Sequence, residues 1–92
     1  MTEEIFIWEL TPEVIRIILV IQGEMSRKEI QKELSLADEK HFRENYLKPA
    51  ITKKYIEMTI PDKPKSSNQK YRLAKSGIEL QKELRSQKNR GN

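Results

Sequence analysis

From Thr11 onward the apolar positions change their spacing several times, and each change predicts an element. Val14, Ile17, Ile18 and Ile21 recur at i, i+3, i+4 and i+7, one face of a helix. Thr11 suits its N-cap, Pro12 its first turn and Glu13 the positive end of its dipole, and Gly23 ends it. Glu24-Met25 then reads as a short extended link. Ser26, with Glu29 three residues on, forms a capping box for a second helix. Ile30 and Leu34 of that helix face inward, while Arg27, Lys28, Lys32 and Glu33 face solvent. Ser35-Leu36-Ala37 has the length of a tight connection between paired helices, and Asp38 caps the next. At about 100° per residue, Phe42, Tyr46, Leu47 and Ala50 share one side of this third helix. Lys40, His41, Glu44, Asn45 and Lys48 share the other, with Arg43 on the flank. Pro49 disturbs a helix and disfavours helical geometry at Lys48. The regular helix is therefore expected to end or kink near Leu47, with a further turn through residues 51–53.

Beyond that turn the period changes from helical to alternating. Two runs, YIEMTI from Tyr55 and KYRLA from Lys70, have the alternation of half-buried strands. Pro61 and Pro64 cannot donate ladder hydrogen bonds and place the stretch between the runs in a loop. This is a β-hairpin with a basic tip carrying Lys63, Lys65, Lys70 and Arg72. Lys75-Ser76-Gly77 marks a corner, and Leu80 and Leu84 give a last helix a modest apolar stripe. The predicted fold class is α+β: a winged helix-turn-helix with a three-helix core, a two-stranded hairpin wing and a C-terminal helix. Its expected extent is residues 10–88, with a disordered tail over 89–92. Residues 1–9 are an N-terminal arm or linker, rich in Ile5, Phe6, Ile7 and Trp8 but without helical spacing. Trp8 packs on the core in one reading and stacks on a base or partner in another.

Composition narrows the function classes. The 92 residues suffice for one small core, not for a scaffold enclosing a substrate cavity. Cysteine is absent, which removes disulfides and thiolate metal sites and fits a reducing cytoplasm, the expected location. No apolar run approaches the roughly 20 residues that span a bilayer, and Glu3 and Glu4 do not open a signal peptide. Membrane association is therefore not expected. The lone His41 lacks the companions for a zinc site, and the three glycines form no phosphate loop. No catalytic residue, cofactor or metal is predicted, and the chain by itself is not expected to be an enzyme.

Charge is divided unevenly. Residues 1–46 hold 6 basic and 10 acidic side chains, and residues 47–92 hold 12 and 4, within a net charge of +4. Such polarity suits an oriented contact with a polyanion, though a solvated charged surface has the same composition. A helix in a major groove needs polar residues on its outer face. Lys40, His41, Arg43, Glu44, Asn45 and Lys48 are the candidate readers, and Lys63, Lys65, Lys70 and Arg72 the candidate phosphate contacts. Double-stranded DNA is the expected partner. The rival expectation is a protein-interaction or regulatory module that docks on a partner domain or forms a homodimer.

HFRENYLKPAI followed by YIEMTIPDKPKSSNQKYRLAKSG resembles the winged-helix domain at the C-terminus of bacterial RecG-related proteins. Those are helicase-like or transcription-regulating chains with an AlbA-type domain upstream. A similar domain closes many Fic-family proteins. The resemblance covers residues 10–77, and the TIPDKP…NQKYRL hairpin is its most specific part. It implies a DNA-binding or regulatory module joined to an upstream domain of a parent protein, with any ATPase or transferase activity in that upstream domain. Lys54 departs from the pattern, which usually has Gly before the strand. A left-handed Lys54 costs about 1 kcal/mol, so the helix is expected to end in another way.

Overall fold

The computed structural model describes the backbone of residues 10–90 and the side chains of residues 10–86. The arm of residues 1–9, Trp8 included, and the last two residues of the expected tail lie outside the described residues. Four helical stretches and a two-stranded antiparallel sheet give an α+β domain, an arrangement compatible with a winged helix-turn-helix.

Helix α1 spans Pro12–Val20, and the Thr11 hydroxyl accepts from the Val14 N–H at 3.2 Å. Val14, Ile17, Ile18 and Ile21 are at most 1% exposed, so the i, i+3, i+4, i+7 stripe is the floor of the core. Helix α2 (Arg27–Glu33) begins with the complete Ser26–Glu29 capping box. The Ser26 N–H donates to the Glu29 carboxylate at 2.8 Å and holds that carboxyl below its usual pKa. Ser35, at φ 58°, closes α2 in a left-handed turn: its N–H reaches the Lys32 carbonyl, and the Leu36 N–H reaches that of Gln31.

The third helix is interrupted near Leu47, as Pro49 suggests, without ending there. Helix α3 (Glu39–Phe42) runs into a π-helical segment (Arg43–Leu47) and on into α4 (Lys48–Thr52). The Lys48 N–H donates to the Arg43 carbonyl, five residues back. Proline lacks an N–H and its ring collides with the carbonyl four residues earlier. One widened turn relieves that conflict, and helical backbone resumes beyond it. Phe42, Tyr46, Leu47 and Ala50 all stay buried in the core, and the π segment and α4 pack on α1.

Helix α4 ends in a Schellman turn, with Tyr55 N–H donating to Ala50 C=O and Lys54 N–H to Ile51 C=O. Lys54 sits at φ 66°, so the chain adopts the left-handed ending despite lacking glycine there. Lys54→Gly is accordingly expected to raise stability by about 0.5–1 kcal/mol, the left-handed strain less the extra unfolded-state entropy of glycine. A thermal melt should show Tm rising by about 2–6 °C.

Strands β1 (Ile56–Met58) and β2 (Tyr71–Leu73) pair with Glu57 opposite Arg72. Ile56 and Tyr71 point into the core while Glu57 and Arg72 point out, the alternation the sequence predicts. Met25 adds a single bridge to Tyr71, with reciprocal backbone bonds of 2.9 and 2.8 Å. The Glu24-Met25 link is therefore a sheet contact as well as a connection. Helix α5 (Lys75–Arg90) packs on α1, and Leu80 and Leu84 lie against the core. Gln81 donates to the Ile18 and Ile21 carbonyls at 2.8 and 3.0 Å, closing the exposed end of α1. No helix among the described residues is long and apolar enough to cross a membrane.

Candidate nucleic-acid interface

The outer face of the third helix carries Lys40, His41, Arg43, Glu44, Asn45 and Lys48, all exposed. They are not six independent readers. The Asp38 carboxylate accepts from the His41 N–H at 3.1 Å, fixing the first turn. The Asn45 amide lies 2.9 Å from His41 Nδ1 and donates to the His41 carbonyl at 3.2 Å. His41 also sets its ring edge-on to Tyr46, with centroids 5.7 Å apart. An Asn45 that read adenine would first have to leave His41.

The hairpin loop is built from stepped turns. Lys63 N–H donates to Ile60 C=O, Ser66 N–H to Lys63 C=O and Gln69 N–H to Ser66 C=O. At the centre lies Gln69, 6% exposed. Its Oε1 accepts from the Ile60 N–H at 2.9 Å, and its Nε2 donates to the carbonyls of Ile60 and Lys63. This residue gives the loop its shape, and nothing in the local pattern marks it: a Gln at the end of a polar loop, two residues before β2, reads as solvated.

The four hairpin cations meet different fates. Lys63 and Lys65 stand exposed on the loop. Lys70 is near enough to Glu29 to help lower that carboxyl's pKa. Arg72 bonds Glu57 at 2.8 Å and Glu24 at 3.5 Å on the outer sheet face. The Glu57 hydrogen bond leads the causes that raise the Arg72 pKa. An arginine answered by two carboxylates is poorly placed to neutralise a phosphate.

A groove of about 810 Å³ runs between α2, the third helix and the hairpin loop, with Tyr71 and Gln69 among its lining. Of the ten candidates it brings together only Arg43 and Lys65. It adds Arg27 and Lys28, which the sequence pattern leaves as solvent-facing residues of α2. Arg27 is paired with Glu39 at 3.1 Å. Lys28, Arg43 and Lys65 have no ion-pair partner among the described residues. The signal for Lys28 is topological: the bridge through Met25 draws the start of α2 to the hairpin, and no single-element pattern contains that fact.

No group of three or more His, Cys, Asp or Glu among the described residues could hold a metal ion.

Known proteins give this geometry a family. The crystal structure of a Fic family protein from Desulfovibrio desulfuricans G20 matches with a TM-score of 0.67 and 36% identity. The match covers 79% of this chain and 23% of that one, so the chain corresponds to about a quarter of the larger protein. No curated protein matches the chain. Residues 12–74 match the model of the C-terminal domain of filamentation-induced-by-cAMP (Fic-like) proteins, and the chain belongs to that family of Fic-like C-terminal domains.

Proposed function

We propose that this chain is a non-catalytic interaction module of a Fic-type multidomain protein, a winged helix-turn-helix whose basic groove takes the phosphate backbone of duplex DNA. One observation carries the reading: Lys28, Arg43 and Lys65, from three separate elements, converge on one groove with no ion-pair partner among the described residues. Phosphate contacts of this kind fix position without reading sequence. With Asn45 engaged by His41, binding should depend little on base sequence. Transferase chemistry belongs, in this proposal, to an upstream domain in the cytoplasm. A RecG-related parent is a second host for the same module, proposed on the hairpin's wording alone.

Fluorescence anisotropy on random duplex DNA tests it. Three phosphate contacts give a log–log salt slope of about −2.7, at about −0.9 each. Alanine at Lys28, Arg43 or Lys65 should each remove about 0.9 from that slope, while Arg72→Ala leaves it unchanged. Absence of binding at low salt removes DNA as the partner.

The second reading is a regulatory module that docks on protein. What favours it is how much of the surface is already engaged: Arg27 is neutralised by Glu39 and Arg72 by Glu57 and Glu24, while the Asn45 amide is hydrogen-bonded to His41. Such a surface has little left for base reading, whereas an acidic protein patch would fill the same groove. Its mark is binding of the purified upstream Fic domain, weakened by the same alanines, with no DNA binding at low salt.

A further inference from the structure

Two tyrosines are buried among the described residues, and the hydroxyl of only one is answered. Tyr46, 4% exposed, accepts from the Arg16 guanidinium at 2.9 Å. The Tyr71 hydroxyl, on a residue 6% exposed, has no hydrogen-bond partner among the described residues. No side-chain N or O that is sealed from solvent lacks a partner there, so this hydroxyl is not sealed. It emerges where Tyr71 lines a cavity, in the basic groove between α2, the third helix and the hairpin loop. That lining includes Arg27, Lys28, Arg43 and Lys65 and neither Asp nor Glu. A buried phenol normally finds a partner for its O–H. Here the partner has to come from outside the chain.

We infer that the Tyr71 hydroxyl is the fixed donor to a phosphate oxygen held in this groove, an inference that rests on the duplex-DNA reading of the same surface. The lining selects the ligand. Cations without an ion-pair partner attract an anion, and a neutral O–H adds one directional bond to an oxygen acceptor. The anchoring of Tyr71 makes that donor rigid. Its backbone is held on one side by the bridge to Met25, with bonds of 2.8 and 2.9 Å, and it faces Met58 of β1 on the other. Its ring is packed in the core. Lys28, Arg43 and Lys65 are exposed, and each gives up rotamer freedom when it holds a phosphate. A hydroxyl already in place loses little, so it sets where the phosphate sits while the cations draw it in.

Tyr71→Phe, together with tyrosines carrying carbon-13 at Cζ, tests the inference on the full chain. The hydroxyl has no partner in the fold, so Tyr71→Phe should leave Tm unchanged; a clear fall in Tm shows that the hydroxyl is bonded internally and overturns the inference. In anisotropy on duplex DNA the variant should bind about tenfold more weakly at every salt concentration, the loss of one hydrogen bond to a charged group. Its log–log salt slope should match wild type, because a neutral donor releases no counterion, whereas the lysine and arginine variants lower the slope. The Tyr71 Cζ resonance should move on adding duplex DNA or inorganic phosphate, while that of Tyr46, whose hydroxyl is held by Arg16, stays in place. Movement with inorganic phosphate but no duplex binding supports the phosphate site and removes only duplex DNA as its source. Equal duplex affinity of Tyr71→Phe and wild type overturns the inference and leaves the duplex reading standing. A Tyr71 resonance moved by neither ligand overturns it too. So does one moved by poly-glutamate and not by phosphate, the mark of an acidic protein partner.

Discussion

Gly77→Ala should cost of order 3 kcal/mol and leave the domain marginally folded. Gly77 is buried in the first turn of α5, and a methyl group there would sit 2.0 Å from the Tyr55 carbonyl oxygen and 2.9 Å from its carbon. The obstacle is backbone, so no side-chain rotation relieves it. Nor can Tyr55 retreat freely, because its carbonyl accepts the Ala74 N–H at 2.8 Å, the bond that joins the end of β2 to β1. Ser76 ties the same corner, donating to the Lys54 carbonyl at 2.7 Å. The new methyl group must push α5 outward, taking Leu80, Leu84 and Gln81 from α1. Overpacking a core costs about 1–3 kcal/mol when side chains can shift; a backbone obstacle puts this case at the upper end. Small domains have only about 5–15 kcal/mol to lose. Urea denaturation should show the midpoint falling sharply. Gly23→Ala is the control: its added methyl group meets nothing within 4 Å, and only the φ of +60° opposes it, at about 1 kcal/mol. Equal losses at the two positions would show that contact with Tyr55 is not the cause.

Gly77 also marks the limit of what the sequence carries. Lys75-Ser76-Gly77 reads as a corner. In the fold the helix has already begun at Lys75, and the glycine serves close approach instead. Which carbonyl lies above it is a fact about another element 22 residues away, invisible to local pattern. The helical stripes fared differently. Val14, Ile17, Ile18, Ile21, Ile30, Leu34, Phe42, Tyr46, Leu47 and Ala50 are all buried, because amphipathic period is itself the physical cause of burial. Pro49 marked the disturbance near Leu47 but not its form: a π turn at Arg43–Leu47 precedes α4, and no single-residue rule contains that option. Arg16 likewise gave no signal as a lone cation in an apolar helix. It donates to the Tyr46 hydroxyl at 2.9 Å and the Leu34 carbonyl at 3.2 Å, locking α1 to both following helices.

The candidate site was legible by residue type and not by arrangement. A basic hairpin tip and a polar helix face are properties of single elements, and both are present. Which cations remain unanswered is a property of pairs. Glu57 lies opposite Arg72 in the β1–β2 register and takes that arginine out of play, while Glu39 holds Arg27. Lys28 enters because two helices and a loop meet. Separating these cases required the register and the turn geometry together.

Gln69→Ala is the second large effect, and it links stability to the groove. The substitution leaves the Ile60 N–H without its acceptor and takes one of two donors from each of the Ile60 and Lys63 carbonyls, which keep the Lys63 and Ser66 N–H groups. A buried donor or acceptor left unpaired costs about 1–3 kcal/mol. One amide is left unpaired and two carbonyls are weakened, so the expected loss is about 2 kcal/mol. Gln69→Glu should be no better than alanine at neutral pH. It keeps an acceptor for the Ile60 N–H but aims an ionised oxygen, in place of a donor, at two carbonyls. Hydrogen exchange separates this local account from a general loss of packing. The Lys63, Ser66 and Gln69 amides, which close the stepped turns, should lose protection before those of α1. If the loop amides and the α1 amides lose protection equally, Gln69 is merely one more buried residue. Loop-first opening would place the position of Lys65, and with it the basic groove, under the control of a single uncharged side chain.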